Sequence, residues 1–429
     1  LGSAASVWRA GAHRLRVPAL PGVSWLDVKL GVRMLGKHPA LTVVAGFALA
    51  LGIPVGLMPL QLFHAFNAPM PFDAGERIVG LRNYDISIQD PAPRAIHDFE
   101  TWRAEMTSVS AIAAVSSARH NLVDEDGRAE PVRGSEMSAV GFDILRVSPV
   151  LGRRLLPADE VPGAPPVVVL GYDLWQTRFG GAADVVGRTV QVGATRRTVV
   201  GVMPEGFLFP YRDNLWMPWQ ARALDYEWGQ GPALWMLARL RDGVTAAQAR
   251  AELETVARRM SAAHPETHEH LRAEVVPFTW TVTGMEGRFN LEFFQIQGMA
   301  LLLLAVACGN IGTLMLARAA TRSSEIAVRT ALGASRARIV GQLFVESLVL
   351  ALLAAAAGLV ISSVVVDRST LLTRSMPFWF DLGVGPSTVV WAGALAAFSA
   401  AIAGVIPALK ATGRSVQRNL QHLAPGGGG

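Results

Sequence analysis

Between Ile296 and Val366 the chain reads as an apolar run, a basic stretch and a second apolar run. Ile296 to Leu316 holds about 20 residues without a charge, enough to cross a bilayer hydrocarbon core as a helix. Leu343 to Val366 is a second such run, charged only at Glu346. The connecting stretch RAATRSSEIAVRTALGASRARIVGQ sets Arg318, Arg322, Arg329, Arg336 and Arg338 against the single Glu325. Short Arg-rich loops stay on the cytoplasmic side of a membrane. Two spans therefore leave and re-enter the cytoplasm around a basic loop.

Two further runs, Leu41 to Phe63 and Val389 to Leu409, raise the number of predicted spans to four. Gly52, Pro54, Gly56 and Pro59 in the first predict a kink near its outer face. The whole chain carries a formal charge of +5. This would suit a nucleic-acid partner, but the charge is not evenly spread. From His64 to Gln295 there are 23 Arg and no Lys against 29 Asp and Glu, whereas the remainder carries 16 basic and 5 acidic residues. The basicity follows topology and predicts no nucleic-acid face. The expected fold is a membrane protein with four transmembrane α-helices and a large α+β extracytoplasmic domain between helices 1 and 2. The predicted division is 1–40 (cytoplasmic segment), 41–63 (first span), 64–290 (outer domain), 291–411 (spans at about 296–316, 343–366 and 389–409) and 412–429 (cytoplasmic tail). Leu1 at the start is expected of a fragment or an unusual start codon, and the glycines Gly426 to Gly429 at the end of a linker or a truncation edge.

Ahead of the first span, Trp25, Val28, Val32 and Leu35 form an apolar stripe and Lys29, Arg33 and Lys37 a basic one. That pattern predicts an interfacial helix, capped by Ser24 with Asp27 in its first turn, facing anionic lipid head groups. Within it, GVRMLGKH falls short of a phosphate-binding loop: His38 replaces the magnesium-binding hydroxyl and Pro39 follows. In the outer domain, strand-like runs recur at Arg77–Arg82, Val167–Leu170, Thr189–Val192, Arg197–Val202 and Leu234–Leu240, with a hairpin at Gly193-Ala194-Thr195. Asp173–Phe179 and Asp242–Ala262 read as helices, the second capped by Thr245 with Ala249, Leu253, Val256 and Met260 on one face.

No catalytic constellation emerges, and no enzyme activity is expected. His264, His268 and His270 in AHPETHEH read as a solvated loop around Pro265 rather than a metal set. Asp124, Glu125 and Asp126 before Gly127 read as a solvated turn. Trp216, Trp219, Trp228 and Trp235 could line a groove, but core packing is the more frequent use of such residues. Cys308 is a lone thiol in an apolar run and permits no disulfide. Among polar groups in the spans, Asn310 is expected to bond across helices, and Glu346 to reach the interface or a loop arginine. The loop itself, with Ser324, Gly333 and Ser335 as punctuation, predicts a helix–Gly–helix knob for a cytoplasmic partner. A plain positive-inside tether is the alternative.

SEIAVRTALGASRARIVGQLFVESLVLALLAAAAGLVIS closely resembles the permease domain of MacB/FtsX-like ABC transporters. VVVLGYDLWQTRFGGAADVVGRTVQVGATRRTVVGVMPEGFLFP resembles the periplasmic core domain of that family, and LGVRMLGKHPALTVVAGFALALGI the start of its orphan permeases. The resemblance implies a non-catalytic permease of a bacterial inner membrane. A separate or fused ATPase, using ATP and Mg, would dock on loop 318–342 around Glu325, Arg329, Gly333 and Arg338. It also implies a second permease unit, an envelope partner, and a mechanical role in export or efflux. Orphan permeases often carry two such units, so half of a split duplicated permease is one alternative. A membrane-anchored binding or scaffold protein that lost its ATPase is another.

Overall fold

A computed structural model describes residues 25–37, 39–123, 127, 129–284, 289–321, 335–368, 376–380 and 382–411. The chain divides into two compact units, one holding residues 1–61, 292–367 and 383–429, the other 62–291 and 368–382.

The first unit is helical. A short helix, Trp25–Lys37, precedes four long ones. These are Pro39–Asn67, Phe289–Thr321, Arg336–Arg368 and Pro386–Ala400; the last continues through a π-helical turn, Ala401–Val405, into Ile406–Ala411. All four are long and apolar enough to cross a membrane, over Thr42–Asn67, Leu291–Met315, Ala337–Val366 and Pro386–Leu409. Their shared core is Leu49, Ile53, Leu57, Leu304, Cys308, Ile311, Leu350 and a run of alanines. Spanning helices gain little from burying apolar surface against lipid-like neighbours, so close backbone approach matters more.

Two prolines show how that approach is achieved. Pro54 has no N–H, which deprives the Ala50 carbonyl of its helical donor. The third span meets that point with Gly358, where a Cβ would sit 2.5 Å from Ala50 O and 2.8 Å from Pro54 Cγ. Pro407 likewise lacks an N–H and lies just beyond the π-helical turn Ala401–Val405. There Gly312 of the second span faces it, with Cβ space 3.2 Å from Pro407 Cγ and 3.7 Å from Ala403 O. A glycine opposite each proline lets a neighbouring backbone come close, a known accommodation of proline in spans. The first-span helix runs unbroken through Pro54 and Pro59.

The second unit is built on one mixed sheet of 11 strands. They are β1 (Ile78–Asp85), β2 (Asp90–Ala92), β3 (Val109–Val123), β4 (Ala129–Met137), β5 (Leu151–Gly152), β6 (Val167–Leu170), β7 (Thr189–Val192), β8 (Thr195–Val202), β9 (Leu215–Pro218), β10 (Trp235–Leu240) and β11 (Leu271–Pro277). The order is β11-β1-β10-β3-β4-β9-β6-β8-β5, with β2 on β1 and β7 against β3 and β8. Among the described strands only β4–β9 and β6–β8 pair in parallel. The turn Gly193-Ala194 closes the β7–β8 hairpin, with Val192 opposite Thr195.

One face of the β1–β10–β3 region carries the helices Ile96–Glu105 and Ala246–Ala263 over a core that includes Phe99, Trp102, Met236 and Val275. Ala246–Ala263 starts as expected. Thr245 and Gln248 cap each other, and Ala249, Leu253, Val256 and Met260 are buried. A second core gathers Phe142, Phe209, Trp216 and Phe278, and a third fills the β6–β8 end. The domain is therefore α+β, as its mixed strand and helix pattern predicts.

Candidate coupling site

At the Arg-rich end of the helical unit, Ser335 starts the third span. Its carbonyl accepts from the Arg338 and Ile339 N–H groups at 3.0 and 3.2 Å, and its hydroxyl accepts from Arg338 N–H at 3.3 Å. Arg338 then points its Nη2 at Asp27 Oδ1, 3.3 Å away on the short N-terminal helix. Asp27 is buried, while Arg338 keeps 43% of its side chain exposed. One turn further along that helix, Gly31 lies against the third span: its Cβ space is 3.4 Å from Val349 Cγ2 and 3.5 Å from Glu346 Cα. The Leu35 carbonyl, a turn beyond, accepts from Thr42 Oγ1 at 2.9 Å.

The short helix therefore turns Asp27 and Gly31 inward and leaves Lys29, Val32, Arg33 and Lys37 exposed. Sequence spacing gives this helix an apolar stripe for the membrane interface and a basic one for lipid head groups. The observed face is set by a carboxylate and a glycine, which suit an ion pair and a close helix crossing. The region read as a degenerate phosphate loop is helical from Gly31 to Lys37.

Of the predicted coupling residues, Ser335 and Arg338 meet within a single turn. Arg318 lies in the final turn of the second-span helix, Phe289–Thr321. Arg322, Glu325, Arg329 and Gly333 lie outside the described residues, as does the acidic turn Asp124 to Asp126. Glu346 is half-buried and accepts from Gln342 Nε2 at 3.2 Å, one turn earlier in its own helix. Among the described residues the expected cross-helix bond of the Asn310 side chain is not seen. Its side chain is exposed on the surface of the helical unit, because Cys308 and Ile311 take the inward positions of that turn. The amide that does cross between spans is Gln297, which donates from Nε2 to Gly56 O at 3.2 Å.

The inserted domain shows a second feature that spacing did not reveal. The segment joining the third and fourth spans belongs to this unit. Phe378 and Trp379 pack on the aromatic core, and Trp379 Nε1 donates to Thr279 Oγ1 at 3.1 Å. Phe380 stands edge-on to Phe66 at 4.9 Å. The signal was the run Pro377-Phe378-Trp379-Phe380, too aromatic for a solvated connector.

The histidine cluster requires a correction. His268 is buried at the end of the helix Pro265–His268, with Nε2 3.3 Å from Asp98 Oδ1. Asp98 in turn accepts from Asn83 Nδ2 at 2.7 Å. His264 stacks on Trp228 at 3.6 Å, and His97 on Trp228 at 4.4 Å, leaving His270 exposed. A polar bond to Asp98 and stacking on Trp228 favour burial where polarity alone predicted solvent. Among the described residues no group of three or more His, Cys, Asp or Glu could hold a metal ion. Trp216 and Trp219 are core residues.

Two carboxyls of this domain are shifted far from their ordinary values. Burial pushes Asp213 up to about 7, against the opposing hydrogen bonds from Ser135 and Ser117 and the charge of Arg133. At Glu252 burial also raises the carboxyl, but hydrogen bonds from Ser108 and Thr107 outweigh it and hold the group at about 2.

Residues 62–256 match the MacB-like periplasmic core domain, and residues 298–416 the FtsX-like permease C-terminal domain. The macrolide export ATP-binding/permease protein MacB of Escherichia coli (strain K12) is 25% identical over 323 residues, covering 73% of this chain and 46% of that protein. Its counterpart from Salmonella paratyphi A is 26% identical over 253 residues, covering 57% of this chain and 36% of that protein. The chain thus spans less than half the length of these relatives. The crystal structure of the periplasmic region of MacB from Actinobacillus actinomycetemcomitans covers 49% of this chain and 94% of its own, at 17% identity and a TM-score of 0.36.

Proposed function

Because the chain belongs to the MacB/FtsX-like family of ABC transporter permeases, we propose that it is the non-catalytic membrane unit of such a transporter. It transmits motion from a cytoplasmic ATPase to the outer domain. The ATPase docks on loop 318–342 and consumes ATP and Mg itself. Its closure moves the second and third spans, and the outer domain follows.

One observation carries this reading. The outer domain is continuous with the first and second spans, and it also takes the Phe378–Phe380 connector of the third and fourth into its aromatic core. A domain tied to all four spans is displaced when any of them moves. Among the described residues the spans bury mainly leucine, isoleucine and alanine, with Gln297, Ser347, Thr388 and Ser399 as scattered polar groups, a core better suited to moving helices than to conducting a polar cargo. The curated relatives are export proteins by name, and we take export or efflux, working with a second permease unit and an envelope partner, as the direction of transport. Under this reading the membrane is the bacterial inner membrane, with both termini cytoplasmic by the positive-inside rule.

The test is affinity purification of the tagged chain in mild detergent with mass spectrometry of what accompanies it. Recovery of an ABC ATPase is expected, and its loss in Arg322→Glu with Arg329→Glu, which leaves Arg338 on Asp27 untouched. Recovery without any ATPase, from cells that express one, would overturn the proposal.

A further inference from the structure

Apart from the Arg-rich end, the inserted domain contains a groove of about 370 Å³, walled by the end of the helix Ile96–Glu105, the start of β3 and the turn Pro157–Glu160. That volume is at the lower end of small-molecule sites. Two guanidiniums line it, those of Arg103 and Arg241. Arg103 is held over the Phe99 ring, 5.1 Å from its centroid. Arg241 is held by its Nε, which donates to Val109 O at 3.1 Å. Among the described residues neither guanidinium has a carboxylate in ion-pair contact.

The one acid in the groove, Glu160, is already engaged by the Ala139 N–H. Burial raises its carboxyl above the ordinary range, against the Ala139 hydrogen bond and the nearby charge of Arg103. The wall carrying Glu160 is stiff. Its neighbour Asp159 receives both terminal nitrogens of Arg153, at 2.6 and 2.9 Å, and the Leu156 N–H at 2.8 Å. Met106, Ile112 and Val140 supply an apolar lining beside the two cations.

We propose that this groove binds a small organic anion, a carboxylate on an apolar body, with the carboxylate taken by Arg103 and Arg241 and the body laid on Met106, Ile112 and Val140. Guanidiniums recognise carboxylates through paired, charge-assisted hydrogen bonds. Both are positioned in advance, by Phe99 and by Val109, so little ordering is needed on binding. The site goes beyond the coupling role and does not depend on it.

The experiment is calorimetric titration of the full chain in lipid nanodiscs with naphthalene-2-carboxylate, using naphthalene-2-carboxamide as the uncharged control and empty nanodiscs as the blank. One saturable site for the carboxylate is expected, with the amide at least about tenfold weaker. Arg103→Gln, on an exposed side chain, should weaken the carboxylate by about tenfold or more with an unchanged melting profile. Equal binding of the amide, binding indifferent to Arg103→Gln, or no saturable binding above empty nanodiscs would each overturn the proposal. Arg241→Gln is the second variant. If it loosens the domain through Val109, Arg103→Gln decides alone.

Discussion

Asp27 and Arg338 meet at 3.3 Å across 311 residues of sequence, joining the short N-terminal helix to the first turn of the third span. The pair sits at the start of the third-span helix, Arg336–Arg368. Asp27 is buried, and a buried carboxylate needs its donors. Arg338→Ala should therefore lower stability by about 1–3 kcal/mol, read as the thermal melt of the full chain in detergent. Asp27→Ala alone and the double variant complete a cycle. A coupling energy of about 0.5 kcal/mol or more is expected. Zero coupling would make the two residues bystanders.

Gly358 tests the packing of the spans. A methyl group there would lie 2.5 Å from the Ala50 carbonyl, a backbone atom that moves only with its helix. Gly358→Ala should cost about 1–3 kcal/mol as an overpacked contact. Gly309, with nothing within 4 Å of its Cβ position, is the control. Gly309→Ala should be neutral or slightly stabilising, since alanine favours helix. Similar melting losses in both variants would remove the close-approach argument.

The spans were legible because hydropathy over 20 residues needs no partner to be read. The Ala246–Ala263 helix was legible because its cap and apolar face are local. The strands β3 and β4 were not. Ala113, Ala114, Ser116 and Ser117 have no strong strand preference, and β3 is held by β10 on one side and β4 on the other. The same limit hid the Asp27–Arg338 pair and the burial of His268 on Asp98, contacts between residues 311 and 170 positions apart. Within the candidate site, the residues read correctly as basic and polar could not be paired from spacing. Asn310 lies on the exposed side of its turn, and packing gives the inward positions to Cys308 and Ile311.

Trp379 should report on the connector between the third and fourth spans. Its ring lies among Phe209, Phe278 and Phe378, and its Nε1–H bonds Thr279 Oγ1. Trp379→Ala removes a large aromatic from a partly buried site and should cost about 3 kcal/mol or slightly less. Trp379→Phe loses chiefly the hydrogen bond, about 1 kcal/mol. Limited proteolysis of the full chain should cut within residues 368–382 faster in the alanine variant than in the wild type or Trp379→Phe. Equal cleavage in all three would mean that the connector is not held by this ring.

Asp213 makes the outer domain sensitive to pH. It is fully buried, and its carboxyl is raised from 3.8 to about 7. The folded state therefore holds the proton more tightly than the unfolded state. The stabilisation from protonation is complete below about pH 3.8 and is lost as pH rises through 7. Over that window the loss is roughly 4 kcal/mol at most, from about three units at 1.36 kcal/mol each. Asp213→Asn keeps the shape, retains a partner for Ser135 and Ser117, and cannot ionise. The wild type should be the less stable of the two at pH 8 relative to their difference at pH 4, measured by tryptophan fluorescence during thermal unfolding. Glu252 opposes the trend in both proteins, since its depressed carboxyl stabilises above about pH 4.5 and is lost as pH falls towards 2. Subtracting variant from wild type cancels Glu252 and leaves the Asp213 titration. A pH-independent difference would show that Asp213 is charged in the fold across this range and would overturn the prediction.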